Sequence, residues 1–171
     1  DDIMSTFKQK RGGKFVLPED ISEELVYDFE EMNGVFTVDL TIDSNPEMKG
    51  IETDGEFDGE DTIELQITTG TDLSQEDIQE LEYELNEILV HELTHIVQKD
   101  MKYRFRKKEP EKSYKYYTQK HELEAQIAGF KRRARIENKP FEELLRNWLK
   151  KYVHRHGTDL KETEKLIKLI L

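Results

Sequence analysis

The sequence predicts an α+β fold in which a small antiparallel sheet packs on a long helix and is followed by a mostly helical C-terminal part. Two patterns of apolar residues predict it. Between residues 34 and 68, apolar residues recur at every second position, which is the period of a half-buried strand. From residue 74 onward they recur at every third or fourth position, which is the helical period. A chain of 171 residues has the length of one domain, so we expect a single domain over residues 1–171.

The strands are predicted from this alternation and from one turn. Residues 34–42 alternate cleanly between apolar and polar side chains. Residues 51–57 and 60–68 flank Asp58-Gly59, a dipeptide favoured in tight hairpin turns because both positions tolerate a positive φ. We therefore expect these two segments to pair as a hairpin, with residues 15–17 as a further short strand.

Helices are predicted where the apolar spacing is three or four. Residues 19–32 show this spacing and are predicted to be helical. The best-marked helix begins after Ser74, which forms a capping-box-like pair with Asp77, and ends at about Lys99. Three further helices are predicted over about residues 119–137, from residue 140 to about 157, and from residue 159 onward.

The chain contains no cysteine, which excludes disulfides, thiolate zinc sites, iron–sulfur clusters and cysteine nucleophiles together. Any metal must therefore be held by nitrogen and oxygen atoms. No apolar run approaches the roughly 20 residues of a membrane-spanning helix, and the first residues do not resemble a signal peptide. From these features we expect a cytoplasmic, intracellular protein without a membrane partner.

The formal charge of −12 is distributed unevenly. Residues 1–100 hold 6 basic and 28 acidic side chains, whereas residues 101–171 hold 20 basic and 10 acidic ones. Within the domain we distinguish an acidic sheet region (1–72), a helix (73–100) and a basic, mostly helical region (101–171). Either the two halves attract each other, or one face binds an oppositely charged partner. The negative total works against phosphate binding, so we expect no nucleic-acid partner. We also expect the protein to be a monomer.

One motif carries chemistry. Residues 91–95 read His-Glu-Leu-Thr-His and lie within the best-marked helix. The spacing of four places His91 and His95 on one face, one turn apart, so both imidazoles can bind the same metal ion. The metal expected is zinc, which lowers the pKa of a bound water to about 7. Glu92 is expected to take the proton of that water as general base while the water attacks a peptide carbonyl. The alternative is a helix turn that holds two histidines by coincidence.

The third ligand is expected in the segment His121-Glu-Leu-Glu-Ala-Gln126, and here the sequence resembles the gluzincin-type zinc peptidases. In that family a second helix donates a ligand glutamate, and a polar residue four positions later hydrogen-bonds a ligand histidine. The resemblance implies Glu122 as the ligand and Gln126 as its polar partner. Glu124 and His121 remain alternative ligands because they lie within the same turn. The Glu-x-x-Ala-Gln string is also similar to the Glu-x-x-Ala-Asn signature of small bacterial and phage peptidases that cleave repressor-like regulators.

The resemblance carries further expectations. In zincins an edge strand before the histidine helix pairs with extended substrate, and here that strand is expected to be residues 60–68. A tyrosine near the third ligand often stabilises the oxyanion, and Tyr117 is selected from Tyr114, Tyr116 and Tyr117. The small size and lack of cysteine resemble stand-alone peptidases of phages or bacteria.

The sequence thus predicts a zinc-dependent endopeptidase that acts on a protein or peptide substrate. The alternative from another class is a catalytically inactive zincin-fold module for binding or structure. Such a module could contact a charged partner through the basic, tyrosine-rich segment 102–120. The intact Glu92 favours the enzyme, because a module has no need of a carboxylate beside the metal.

Overall fold

The computed structural model describes residues 8–9, 15–16, 21–29, 34–100, 116, 119–156 and positions 161, 165, 168 and 170. Over these residues the fold is α+β, as predicted. Its elements are β1 (Lys8–Gln9), β2 (Phe15–Val16), β3 (Ile21–Phe29), β4 (Gly34–Ser44), β5 (Ile51–Phe57), β6 (Thr62–Thr69), α1 (Gln75–Asp100), α2 (Lys120–Glu137) and α3 (Phe141–His156). None of the described helices is long and apolar enough to span a membrane.

The main sheet is mixed rather than antiparallel, which corrects the prediction. Its strand order is β3-β4-β6-β5, and β4 runs parallel to β6 with Val38 opposite Ile63. The hairpin of β5 and β6 causes this arrangement. The chain reverses direction after β4 to form β5 and reverses again to form β6, so β6 runs in the same direction as β4. β6 then lies between β4 and β5 and pairs with both. The predicted strand at 15–17 is β2, which pairs with β1 in a separate two-stranded sheet.

The helix predicted over residues 19–32 is wrong, because residues Ile21–Phe29 form β3. β3 pairs antiparallel with β4 along its whole length, from Ile21 opposite Ile42 to Phe29 opposite Gly34. Apolar residues four positions apart fit a strand as well as a helix, since four is also a multiple of two. The backbone of β4 favours the strand over the helix, because it offers a row of hydrogen-bonding partners to residues 21–29. The pattern of residues within this segment does not reveal those partners.

The edge strand beside the histidine helix is β5 rather than residues 60–68, which corrects a second expectation. β6 lies inside the sheet between β4 and β5. The turn at Asp58 and Gly59 is present, and Gly59 has a φ of +86°, a conformation that glycine adopts without strain. Asp58 stabilises the turn by accepting hydrogen bonds from the backbone N–H groups of Glu60 and Thr62.

Helix α1 packs against the sheet and closes the main core. Its N-terminus is the predicted capping box, in which the Asp77 backbone N–H donates to Ser74 Oγ and the Ser74 backbone N–H donates to Asp77 Oδ2. The core combines one face of β4 and β6 with the first half of the helix. It comprises Phe36, Val38, Leu40, Ile42, Ile63, Leu65, Ile67, Leu73, Ile78, Leu81 and Leu85.

Helices α2 and α3 form a second, smaller core. Phe130 of α2 packs against Leu145 and Leu149 of α3, and its ring meets Trp148 edge to face at a centroid distance of 5.3 Å. Both helices lie close to their predicted bounds. The predicted fourth helix lies mostly outside the described residues, although Ile170 packs against this core. The basic segment 102–120 also lies outside them, except for residues 116, 119 and 120.

Candidate metal centre

One face of helix α1 is buried along its length, and its side chains change from apolar to polar. Ile78, Leu81 and Leu85 are buried against the sheet at spacings of three and four. The same spacing continues through the half-buried Ile88 to Glu92 and His95, both of which are 6% exposed. Polar side chains thus occupy positions where the stripe would otherwise bury apolar ones. Burial of such groups is costly unless they have partners, so this turn of the helix is specialised.

Three side chains from two helices converge at this turn. His91 Nε2 lies 3.1 Å from His95 Nε2. Glu122 Oε2, from the first turn of α2, lies 3.4 Å from His95 Nε2 and 3.7 Å from His91 Nε2. Ligand atoms placed tetrahedrally at about 2.0–2.2 Å from a zinc ion are separated by about 3.3–3.6 Å. The three observed distances, 3.1, 3.4 and 3.7 Å, bracket this range, so the three atoms are close enough to share one metal ion.

The surroundings of the Glu122 carboxylate indicate that a cation fits between the three atoms. Its carboxylate is buried, and Oε2 has no hydrogen-bond partner among the described residues. A buried carboxylate oxygen without a partner costs free energy that an adjacent cation removes. With Glu92 at the same place, the site holds two carboxylates, whose charge a divalent cation would balance. The donor set of nitrogen and oxygen suits zinc.

Glu92 is held beside the three atoms by the sheet. Its Oε2 accepts a hydrogen bond of 3.0 Å from the backbone N–H of Phe57, at the end of β5, and its Oε1 lies 3.8 Å from His91 Nε2. His91, Glu92 and His95 offer ligand atoms within 4.8 Å of one another, so this group is close enough to hold a metal ion. The contact with Phe57 occupies one oxygen of Glu92 and ties the carboxylate to the free edge of β5.

Glu124, the other acidic residue in the first turns of α2, faces elsewhere. The Glu124 side chain is 43% exposed, lies 3.7 Å from Lys120 Nζ and accepts a hydrogen bond of 3.3 Å from Gln98. Of the two glutamates considered as third ligand, the structure brings Glu122 to the histidines. His121 is also close, with its Nε2 3.3 Å from Glu122 Oε1 and its ring 6.0 Å from that of His95.

The hydrogen-bond partner of His95 is Gln98 rather than Gln126. Gln98 Oε1 lies 2.9 Å from His95 Nδ1, and the side chain is buried. Gln126 is buried on α2, and its assignment to a ligand histidine stays a prediction for His91. The sequence-based prediction does not include Gln98, because the family resemblance places the partner on the second helix. Its position one turn after His95, on the same face, is a signal that the sequence does contain.

Tyr117, predicted to stabilise the oxyanion, lies outside the described residues, as does Tyr114. The described tyrosine of this group is Tyr116, which is half-buried and hydrogen-bonds Glu122.

The close packing shifts several pKa values. Burial raises the pKa of Glu92, against the lowering effect of His91 and His95. Burial opposes ionisation of Glu122, but its contacts with His91 and His95 hold the pKa of that carboxyl well below its usual range. The same contact raises the pKa of His95, although burial alone would lower it. His121 has its pKa lowered, mainly by burial. The site therefore favours ionised Glu122 beside the histidines.

A glycine allows the two ligand-bearing helices to approach. A Cβ atom on Gly129, two turns after Glu122, would lie 2.7 Å from the backbone oxygen of Glu87 on α1. No real side chain tolerates that distance, so Gly129 sets the separation of the helices. Arg133, one turn further on, contacts Glu80 at 2.6 Å and Glu87 at 3.3 Å and also pairs with Glu137.

Comparison of the chain with protein-family models, curated proteins and solved structures found no match in any of the three. The function is therefore inferred from the side chains of the site.

Proposed function

We propose that the protein is a zinc-dependent endopeptidase, with His91, His95 and Glu122 as metal ligands and Glu92 as general base. The observation that carries this proposal is the convergence of two imidazole nitrogens and a buried carboxylate oxygen that has no hydrogen-bond partner among the described residues, beside a second carboxylate. A zinc ion bound there would polarise a peptide carbonyl and acidify water. The sheet, the histidine helix and the glutamate helix follow one another in zincin-like order.

Glu92 and Glu122 take different roles in this proposal because their surroundings differ. Glu122 Oε2 has no hydrogen-bond partner among the described residues and lies beside both imidazole nitrogens, so it is available to a cation that they share. Glu92 Oε2 is held by the Phe57 backbone N–H, which fixes the carboxylate beside the ligands. From there Glu92 takes a proton from the attacking water and passes it to the leaving amine, as a general base and then a general acid.

The substrate is proposed to bind as an extended strand along β5. This strand is one of the two edge strands of the sheet in the described part of the chain, and its last residue, Phe57, contacts Glu92. Adding a peptide strand to an exposed edge gives affinity through backbone hydrogen bonds. A peptide in this position runs past the general base, which suits cleavage within a chain.

The test combines metal analysis with proteolysis. Zinc-loaded protein should contain one zinc per chain and should cleave fluorescently labelled, denatured casein. Glu92→Gln should retain zinc and lose at least about 100-fold in rate, because the proton acceptor is gone. His95→Ala should lose zinc and activity together. Glu82→Gln, an exposed change on the same helix, is the matched control.

The outcomes separate the enzyme from the alternative module. Casein cleavage by Glu92→Gln at the wild-type rate would contradict the mechanism. Bound zinc without cleavage of casein, or of a mixed peptide library analysed by mass spectrometry, would favour the inactive binding or structural module. Absence of bound zinc after zinc is supplied would contradict both assignments of the metal.

A further inference from the structure

Gln98 connects the two helices that carry the proposed ligands. Its side chain is buried at 3% exposure, and its Oε1 lies 2.9 Å from His95 Nδ1 on the same helix. Its Nε2 donates to the backbone oxygen of His121 at 3.0 Å and to Glu124 Oε2 at 3.3 Å, both on α2. One amide group therefore contacts His95 and the first turn of the helix that carries Glu122.

The partners of this amide fix its orientation. An amide nitrogen only donates hydrogen bonds, and both of its partners, a carbonyl oxygen and a carboxylate oxygen, only accept. The amide oxygen must then face His95, and because an amide oxygen only accepts, Nδ1 of the imidazole must carry the hydrogen. The Nε2 atom of a neutral His95 is left with its lone pair, on the side of His91 and Glu122.

The amide nitrogen of Gln98 contacts the first turn of α2. The His121 carbonyl that accepts from Gln98 belongs to the peptide group joining His121 to Glu122. Holding that peptide group against α1 limits where the Glu122 carboxylate can lie. The neighbouring Glu124 accepts a bond from the same amide nitrogen, so the turn is held at two points.

We propose that Gln98 is a positioning residue for the metal centre, which holds His95 in the Nδ1–H tautomer and fastens the first turn of α2 to α1. The ligand atoms of His95 and Glu122 are thereby arranged before a metal binds. The metal itself rests on the proposed function, but the tautomer of His95 is a property of the chain alone.

Two substitutions separate the two contacts. Gln98→Met keeps the length of the side chain and removes both the acceptor and the donor. Gln98→Glu keeps an acceptor for His95 Nδ1 but loses the donor to His121 and Glu124. Gln126→Met tests the competing assignment, because Gln126 is the other buried glutamine close to the site and the family resemblance assigns the histidine contact to it. Gln79→Met, a change at an exposed glutamine on the same helix, is the matched control.

The first readout is the tautomer of His95, measured by 15N NMR on zinc-free protein at a pH where the ring is neutral. Wild type, Gln98→Glu and Gln126→Met should show the hydrogen on Nδ1, and Gln98→Met should show it mainly on Nε2. A merely structural role of Gln98 would not move this readout in a folded variant. An Nε2–H tautomer in the wild type would overturn the proposal, whether or not zinc binds.

The second readout is zinc affinity, measured by competition with a chromogenic chelator. Loss of an outer hydrogen bond to a ligand histidine typically weakens metal binding about 10- to 100-fold, and we expect this for Gln98→Met. Gln98→Glu should weaken binding less while keeping the tautomer. Wild-type affinity in Gln98→Met, or weakening in Gln126→Met alone, would overturn the proposal. If Gln98→Met does not fold, the tautomer of the wild type and the affinity of Gln98→Glu still decide it.

Discussion

Glu122 and Glu124 show how a two-residue difference on one helix separates two roles. Both carboxylates lie in the same turn, but one is buried beside the histidines and the other is 43% exposed. Residues two positions apart on a helix are rotated by about 200° about the helix axis, so their side chains point in nearly opposite directions. Only one of the two carboxylates can therefore face α1. The contacts of Glu124 with Lys120 and Gln98 place it at the rim of the site.

We therefore predict that Glu122→Gln reduces bound zinc to background, whereas Glu124→Gln retains one zinc per chain. The amide of the first variant is a much weaker metal ligand than a carboxylate and leaves the charge of the cation less balanced. Elemental analysis of both variants after dialysis against zinc checks this. The reverse pattern would make Glu124 the ligand.

At the scale of elements, the separation of α1 and α2 decides whether the ligands meet. Gly129 lies against the backbone of Glu87, where a methyl group would force the helices apart. In an exposed helix interior, replacing glycine by alanine stabilises a protein by about 1 kcal/mol. At Gly129 we expect the opposite effect, a loss of stability on replacement by alanine.

Gly129→Ala is predicted to destabilise the protein by about 1–3 kcal/mol, because overpacking shifts the backbone of one helix. The same shift should move Glu122 away from His91 and His95 and weaken zinc binding. Urea unfolding of the zinc-free protein measures the first effect, and chelator competition measures the second. A stabilised variant with unchanged zinc affinity would show that the interface has room for the methyl group.

Glu87 makes the same interface sensitive to pH. Burial raises the pKa of this carboxyl from 4.5 to about 7, against the opposing effect of Arg133 and with smaller contributions from Glu84 and Glu80. A carboxyl that binds its proton more tightly in the folded state stabilises the fold while protonated. That contribution is complete below about pH 4.5 and is lost as the pH rises through about 7.

The free energy of unfolding should therefore fall between pH 5 and pH 8 by roughly 2 kcal/mol more in the wild type than in Glu87→Gln. Urea unfolding of the zinc-free protein at several pH values measures this difference. Glu82→Gln, an exposed change on the same helix, is the control and should keep the wild-type slope. Equal slopes in wild type and Glu87→Gln would mean that Glu87 stays ionised throughout this range.

At the scale of the whole molecule, the two oppositely charged halves contact each other along the interface of α1 and α2. Arg133 of the basic half pairs with Glu80 and Glu87 of the acidic half, so part of the charge asymmetry serves packing within one domain. Strands β4, β5 and β6 contain no lysine or arginine. Most of their exposed positions carry acidic side chains, namely Asp39, Glu52, Asp54, Glu56 and Glu64.

A peptide that adds to β5 would run beside Glu52 and Glu56, so we predict a preference for lysine or arginine at alternate substrate positions. Two model peptides that differ only in lysine against glutamate at these positions should differ in kcat/KM by about 10-fold at low salt. The ratio should shrink as salt screens the charges. Glu52→Lys with Glu56→Lys should reverse it. An unchanged ratio in this double variant would argue against binding along β5.

Much of this molecule could be predicted without its structure. The strands at 34–44 and 51–57, the capping box at Ser74 and the pairing of His91 with His95 follow from local periodicity and from side chains one turn apart. The helix bounds near residues 120 and 137 follow from the polar segment before them and from Pro140 after them.

What the local pattern could not decide depends on contacts between distant segments. Ile21–Phe29 is a strand because β4 has an edge to pair with, although the same residues also match a helical spacing. β6 lies inside the sheet because it runs parallel to β4, which leaves β5 beside Glu92.

The amino-acid sequence alone determined the donor types and the turn of α1 that carries them, because a helix places residues four apart on one face whatever surrounds it. Only the tertiary structure decided that Glu122 meets the histidines, that Gln98 reaches the His121 carbonyl and that Phe57 holds Glu92. Each of these three contacts joins residues of different helices or strands. They are set by burial and close approach, as at Gly129, which have no signature in the spacing of residues along the chain.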